Sequence, residues 1–229
     1  DSTSSLNNQA RNIHIQGLTL ETTAMSGKAL ILQSCRNSLF KDIKIQGTWT
    51  IGDTIPTDYS SDIGVELNSL SSTVKTADNL FENIIITGWG YGTMSNWDID
   101  QNRWVGCRFE TLGQGFAFGV DMVIGINGSL IGPSRNSITD SVFYNIQQHG
   151  VWIEQGIHNV SQNNIYELVG NDGGTDAQPD VAVIKYRAQG NESRGDYFTR
   201  TNALNASQAT LLNVIYVPEI EGPVSWQWG

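Results

Sequence analysis

RNSLFKDIKIQG at residues 36–47 and DNLFENIIITG at residues 78–88 follow one grammar. Each has Asn at its second position, runs through short stretches with apolar residues on alternate positions, and closes on Gly. Alternation of that kind is the mark of a strand with one buried face. The closing segments 42–47 and 83–88 have a further relative at 12–17 and weaker ones at 108–113 and 164–170. The opening asparagines belong to a wider set, Asn37, Asn79, Asn102, Asn136, Asn159 and Asn191, at spacings of 42, 23, 34, 23 and 32 residues. A third kind of segment, at 27–32, 64–67, 119–122, 150–153 and 181–184, lies upstream of an asparagine and again carries aliphatic residues.

The order strand, Asn turn, strand, Gly turn, strand recurs with a shortest spacing of 23 residues. Self-similarity at such a period is the signature of a solenoid, here with about three short strands per coil and about seven coils. Strands of neighbouring coils would pair about 4.8 Å apart, which keeps every coil in the same phase. Asn suits the turns because it tolerates the left-handed backbone region, and stacked amides can hydrogen-bond along the stack. A β-sandwich would not repeat an Asn in one phase, and runs such as 83–90 have no helical period. The sequence therefore predicts an all-β, single-stranded, right-handed parallel β-helix. It spans one domain over 1–229, with the repeat over roughly 11–217 and a C-terminal tail at 218–229.

Composition narrows the function. The net charge is −10, and the 13 Lys and Arg form no basic stripe. Phosphate neutralisation cannot then drive nucleic-acid binding, and an anionic membrane surface would repel the chain. No apolar run approaches the roughly 18 residues of a spanning helix. Cys35 and Cys107 lie in no metal-binding spacing, and His14, His149 and His158 fall in different phases of the repeat. Neither a metal nor a cofactor is expected. The clusters Gly88-Trp-Gly-Tyr-Gly92 and Gly113-Gln-Gly115 open no helix of a nucleotide-binding unit and read as tight turns.

With GVWIEQGIHNV at 150–160, the two opening segments resemble coils of the pectin-lyase-like superfamily of parallel β-helices. The Asn/Ser/Thr-rich style and scarce Lys are most similar to a bacteriophage tail spike or tail fibre domain. That resemblance implies recognition of a host-surface polysaccharide, with cleavage as an added activity, and a place in the virion tail or outside the cell. A free polysaccharide-degrading enzyme, hydrolase or lyase, and a structural spacer are the alternatives. The polygalacturonase and pectate-lyase signatures are absent. The chain starts at Asp1 with a polar, uncapped stretch and ends on an apolar tail holding Trp226 and Trp228. It is expected to be part of a longer polypeptide that assembles as a homotrimer.

Insertions between coils gather on one side of a solenoid and build its binding surface. They are read here at 48–62, 88–100, 113–134 and 170–180. Their aromatics and acids make Trp49, Trp89, Tyr91, Trp97, Asp98 and Asp100, together with Trp152, the candidate sugar-binding residues, since a flat ring takes a sugar face and acceptors take the hydroxyls. The competing reading has these rings pinning loops to the wall. Glu66, Asp121 and Glu154 lie between inward-pointing neighbours on third-kind strands, so they are expected to face outward in one column. If the domain hydrolyses glycosides, they are the candidate carboxylates, with Asp98 or Asp100 as loop-borne substitutes. Two rungs, about 9.6 Å, would suit inversion.

Overall fold

A computed structural model describes residues 9–23, 27–57, 61–70, 73–95, 98–118, 132–170, 184–186, 190–199 and 215–216. Among them there is no helix. Every strand pairing is parallel. The described residues form all-β parallel sheets, consistent with the solenoid that the repeat predicts.

The chain passes in turn through three ladders. The first is a seven-stranded sheet of His14–Gln16, Leu39–Lys41, Leu80–Glu82, Arg103–Val105, Ser137–Thr139, Val160–Gln162 and Glu192–Arg194. The second stacks Thr19–Glu21, Lys44–Gln46, Ile85–Ser95, Arg108–Phe118, Val142–Ile146, Ile165–Val169 and Tyr197–Thr199. The third takes Lys28–Gln33 and Ile63–Asn68, then the far halves of Ile85–Ser95 and Arg108–Phe118, then Val151–Ile153, Ile184–Tyr186 and Ile215–Tyr216. Residue n of one rung therefore sits over its counterpart in the next, and like side chains form columns.

Those columns are the core. In the first ladder Phe40, Phe81 and Trp104 stack, with centroids 5.0 Å and 3.9 Å apart and planes within 13° and 6°. In the second, Phe109, Phe143, Tyr166 and Phe198 stack at 4.7, 4.6 and 5.2 Å. The centroid spacings match the distance between paired strands, so the ladder itself holds the rings in contact.

The turn into the first ladder carries the predicted amide stack. The Oδ1 of Asn102, Asn136, Asn159 and Asn191 each accepts both the backbone N–H and the Nδ2–H of the asparagine one rung below. Each spare Nδ2–H goes to a main-chain carbonyl, such as Cys35 for Asn79 and Thr76 for Asn102. All of the amides from Asn79 to Asn159 are buried, so nothing in the stack is left for water to satisfy. The expectation misses by one residue on one rung. Ser38 occupies the inner position and takes the bond from Ile13, while Asn37 falls on the residue before it. That preceding position is the left-handed one, with φ of 53° to 58° at Asn37, Asp78, Gln101, Arg135 and His158.

Two strands are longer than the short pieces the repeat suggests. Ile85–Ser95 and Arg108–Phe118 each run for 11 residues around the corner between the second and third ladders. The segments 88–95 and 113–118 are therefore wall, not insertion. Of the glycines at that corner only Gly88, at φ of 73°, keeps a turn conformation, and Gly90, Gly92, Gly113 and Gly115 are strand residues. A Cβ on Gly92 would lie 2.6 Å from the Gly115 carbonyl oxygen, and one on Gly115 would lie 2.5 Å from that of Gly150. The corner folds inward until only glycine fits.

Candidate functional site

The one insertion described in the structure lies flat. After Lys44–Gln46 the chain leaves the second ladder, and Trp49 N–H donates to the Gly88 carbonyl. Thr50 to Asp53 forms a turn in which the Asp53 carboxylate accepts from the Thr50 N–H and hydroxyl. Gly52 N–H then reaches Gln147 Oε1 at 2.9 Å, and the Tyr91 hydroxyl donates to the Pro56 carbonyl at 2.6 Å. Residues 47–57 thus form a strap along the outer corner, crossing several rungs. Its apolar underside is Ile55, set against a small cluster of Ile63, Tyr91, Met94 and Ala117 outside the main core. The strap can lie this close because of the wall beneath it. A Cβ on Gly113 would meet Ile55 Cγ1 at 2.7 Å, and one on Gly90 would meet Pro56 Cδ at 2.9 Å.

Where the strap rejoins the third ladder, it closes over Asp62. This carboxylate is 2% exposed and accepts the Gly90 N–H at 2.9 Å. Burial pushes its pKa up to about 6, against the pull of the Gly90 N–H, and the nearby charge of Asp53 adds to the rise. The unfolded chain titrates this group near its ordinary value of about 3.9. Between roughly pH 4 and 6 the folded state then holds the proton more tightly, so stability falls as pH rises through that window, by about 2 kcal/mol. Asp62→Asn is expected to remove this slope, so urea midpoints of the variant and the parent should diverge only in the change between pH 4 and 6. Identical pH slopes would place Asp62 in water.

The structure separates Glu66 from Glu154. The outward row through Glu66 continues as Met94, Ala117 and Trp152 on successive rungs. Glu66 and Glu154 are therefore three rungs apart along the axis, about 14 Å, and are offset along the strands as well. That exceeds the roughly 5–9.5 Å of a glycosidase carboxylate pair, so Glu66 and Glu154 do not form such a pair by themselves. Met94 and Ala117, both at 0% exposure, fill the space between. Asp121 and Trp97 lie outside the described residues. Glu66 faces outward as expected, between core residues Val65 and Leu67, and is bound by Lys28 Nζ at 2.7 Å.

The candidate sugar platforms divide the same way. Trp49, Trp89 and Tyr91 are 1%, 2% and 1% exposed. Trp89 is part of the central core, where Gly47 and Gly64 on the neighbouring rung make room for its indole. Trp49 and Tyr91 hold the strap. None of the three offers a face to a ligand, which overturns that part of the expectation. Asp98 and Asp100 sit on the corner before the first ladder, paired with Lys75 and Arg135. No group of three or more His, Cys, Asp or Glu suited to a metal exists among the described residues. Cys35 and Cys107 are buried free thiols, and burial pushes Cys107 up to about 12.

No family model, curated protein or solved structure matches this chain. Its site must be read from its own geometry. On the third ladder's outer face Trp152 is partly exposed, its Nε1–H donates to Glu154 Oε2 at 2.8 Å, and its ring centroid is 5.2 Å from that of His149. Beside His149, Gln148 Oε1 accepts from Gln114 Nε2 at 2.9 Å, and Gln147 reaches the strap. Trp152, Glu154 and Gln148 are the partly exposed edge of a polar strip, and Gln114, Gln147 and His149 are buried behind it. Sequence reasoning included Trp152 and Glu154 but passed over Gln114, Gln147 and Gln148. Gln147-Gln148-His149, just ahead of a strand, was the available signal.

Proposed function

We propose that this chain is a host-surface glycan recognition domain of the kind carried by phage tail spikes and tail fibres. In this reading it winds as a right-handed single-stranded β-helix of about seven coils in the pectin-lyase manner. Connections between parallel strands of one sheet are right-handed in nearly all cases, and the first sheet alone holds seven strands. The same reading makes the native particle a homotrimer in a virion tail or outside the cell, with a polysaccharide as its partner.

The observation that carries the glycan reading is the strip at Trp152. An indole fixed by Glu154, beside the partly exposed amide of Gln148, combines an apolar face with directed acceptors and donors, with Gln114 and His149 buried behind them. That is how a site grips a pyranose. Trp152→Ala should weaken binding on a polysaccharide array at least about tenfold, near 1.4 kcal/mol, with an unchanged unfolding midpoint. Trp152→Phe should retain part of the binding. Wild-type binding by Trp152→Ala would remove the strip from the site.

Recognition is favoured over cleavage because the nominated acids among the described residues are engaged: Glu66 by Lys28, Asp98 by Lys75, Asp100 by Arg135 and Glu154 by Trp152. Oligosaccharide release by the chain would establish cleavage as the second reading.

A further inference from the structure

A shallow groove of about 460 Å³ runs over the turn into the first ladder, on a different part of the surface from the strap. Its walls include Asp78, Gln101, Arg103, Arg135 and Ser137, and Leu80 forms an apolar floor. The charges here are unequally satisfied. Arg36 pairs with Asp78 and Arg135 pairs with Asp100. Arg103 lies between them, on the rung after Leu80 and before Ser137, and pairs with no carboxylate among the described residues. Four other arginines, Arg36, Arg108, Arg135 and Arg194, all pair with carboxylates. With both flanking pairs neutral, the groove carries the one positive charge of Arg103 on a chain of net charge −10.

The backbone points the same way. Gln101 and Arg135 stand at φ of 54° and 56°, in the column where Gly190 later takes φ of 71°. Left-handed backbone costs a long side chain about 1 kcal/mol or more. Glycine would be the cheaper residue at both positions. Retaining Gln and Arg there projects an amide and a guanidinium from the turn over the groove. The side chains of Gln101 and Ser137, like that of Arg103, make no hydrogen bond among the described residues, so three donors of different kinds line one hollow.

We propose that this groove is a subsite for an acidic sugar residue, with the Arg103 guanidinium gripping the sugar's carboxylate, Gln101 and Ser137 taking its hydroxyls, and Leu80 under its apolar face. The planar fork of Arg matches a carboxylate with two parallel hydrogen bonds. This rests on the glycan reading above and adds the class of glycan, an anionic polysaccharide bearing uronate or sialate.

The test is an array of neutral, uronate-bearing, sialate-bearing and sulfated polysaccharides probed with the full chain, Arg103→Met and Arg103→Lys. Arg103 is exposed, so both variants should fold, and an unchanged unfolding midpoint checks it. Carboxylate-bearing glycans should be preferred, with binding about tenfold weaker in Arg103→Met, partly kept in Arg103→Lys, and reduced by salt. Binding confined to neutral glycans overturns the subsite and leaves the glycan reading standing. So does binding of acidic glycans that ignores Arg103→Met. Equal capture of sulfated and carboxylated chains, equally lost in the variant, reduces the groove to an unspecific anion contact. Binding to no polysaccharide overturns both.

Discussion

Asn102→Ala is expected to destabilise the fold by about 3–4 kcal/mol, although it removes only one short side chain. In the native stack Asn102 Oδ1 accepts the Asn79 backbone N–H and its Nδ2–H, while Asn102 Nδ2–H donates to Asn136 Oδ1 and the Thr76 carbonyl. The Asn79 amide N–H is buried and would lose its acceptor, at a cost of about 1–3 kcal/mol. The lost bonds and the small cavity supply the rest. Asn102→Asp separates the two halves of the side chain. It keeps the acceptor for Asn79 but points an oxygen at the Asn136 and Thr76 oxygens. The new acid must stay protonated to fit, so its folded pKa is raised, and stability should fall as pH rises above the ordinary carboxylate range. Chemical denaturation of the three proteins at two pH values reads both effects. A loss below about 1 kcal/mol for Asn102→Ala, within the range of an ordinary surface change, would mean that water replaces the amide and that the stack is ornamental.

The stack also marks what could be read before any coordinates. Spacing carried the solenoid, because each asparagine must meet its neighbour in phase and any slip would break two bonds per rung. The slip at Asn37 and Ser38 is the instructive case. Ser38 Oγ can accept the Ile13 N–H as an amide oxygen would, so the sequence presents an Asn one position early and the stack runs on without it. Local alternation likewise gave the right facing for Val65, Glu66 and Leu67 and for Val151, Trp152 and Ile153. What alternation cannot show is which rung lies above which. Spacing allowed one rung between Glu66 and Asp121, and Met94 occupies the rung after Glu66; the row then runs through Ala117 to Trp152, two residues short of Glu154. The glycines were the unread signal. Gly64, Gly92 and Gly115 line up on successive rungs, and a Cβ on each of the three would collide with the carbonyl of the next rung. Glycines repeated in phase at intervals of 28 and 23 residues belong to a wall that bends, not to separate turns. The acid of most chemical interest, Asp62, owes its character to a strap folded over it, and no local pattern announces that.

Trp89→Ala should cost about 3–5 kcal/mol and should reduce glycan binding only through the unfolded fraction it creates. A tryptophan among Gly and Tyr in a presumed loop invites a binding role, yet its ring lies inside the coil, opposite Leu112 on the next rung. The room for it comes from absences. A Cβ on Gly47 would sit 2.9 Å from Trp89 Cε2, and one on Gly64 would sit 3.4 Å from Cδ1. Because those neighbours have no side chains, nothing can swing in to fill the space once the indole is gone, and the cavity should persist near full size. Its Nε1–H has no partner, so the loss is almost wholly one of packing. Filling from the other side is closed as well: a Cβ on Gly64 would lie 2.8 Å from the Gly92 carbonyl oxygen, and one on Gly47 would lie 2.1 Å from that of Gly88. Gly64→Ala in the Trp89→Ala background should therefore lower stability further instead of restoring it. Trp152 on the outer face provides the contrast, since its truncation should weaken binding while the unfolding midpoint holds. If Trp89→Ala unfolds at the wild-type denaturant concentration and binding is lost all the same, Trp89 faces the ligand and the rung assignment at this corner is wrong.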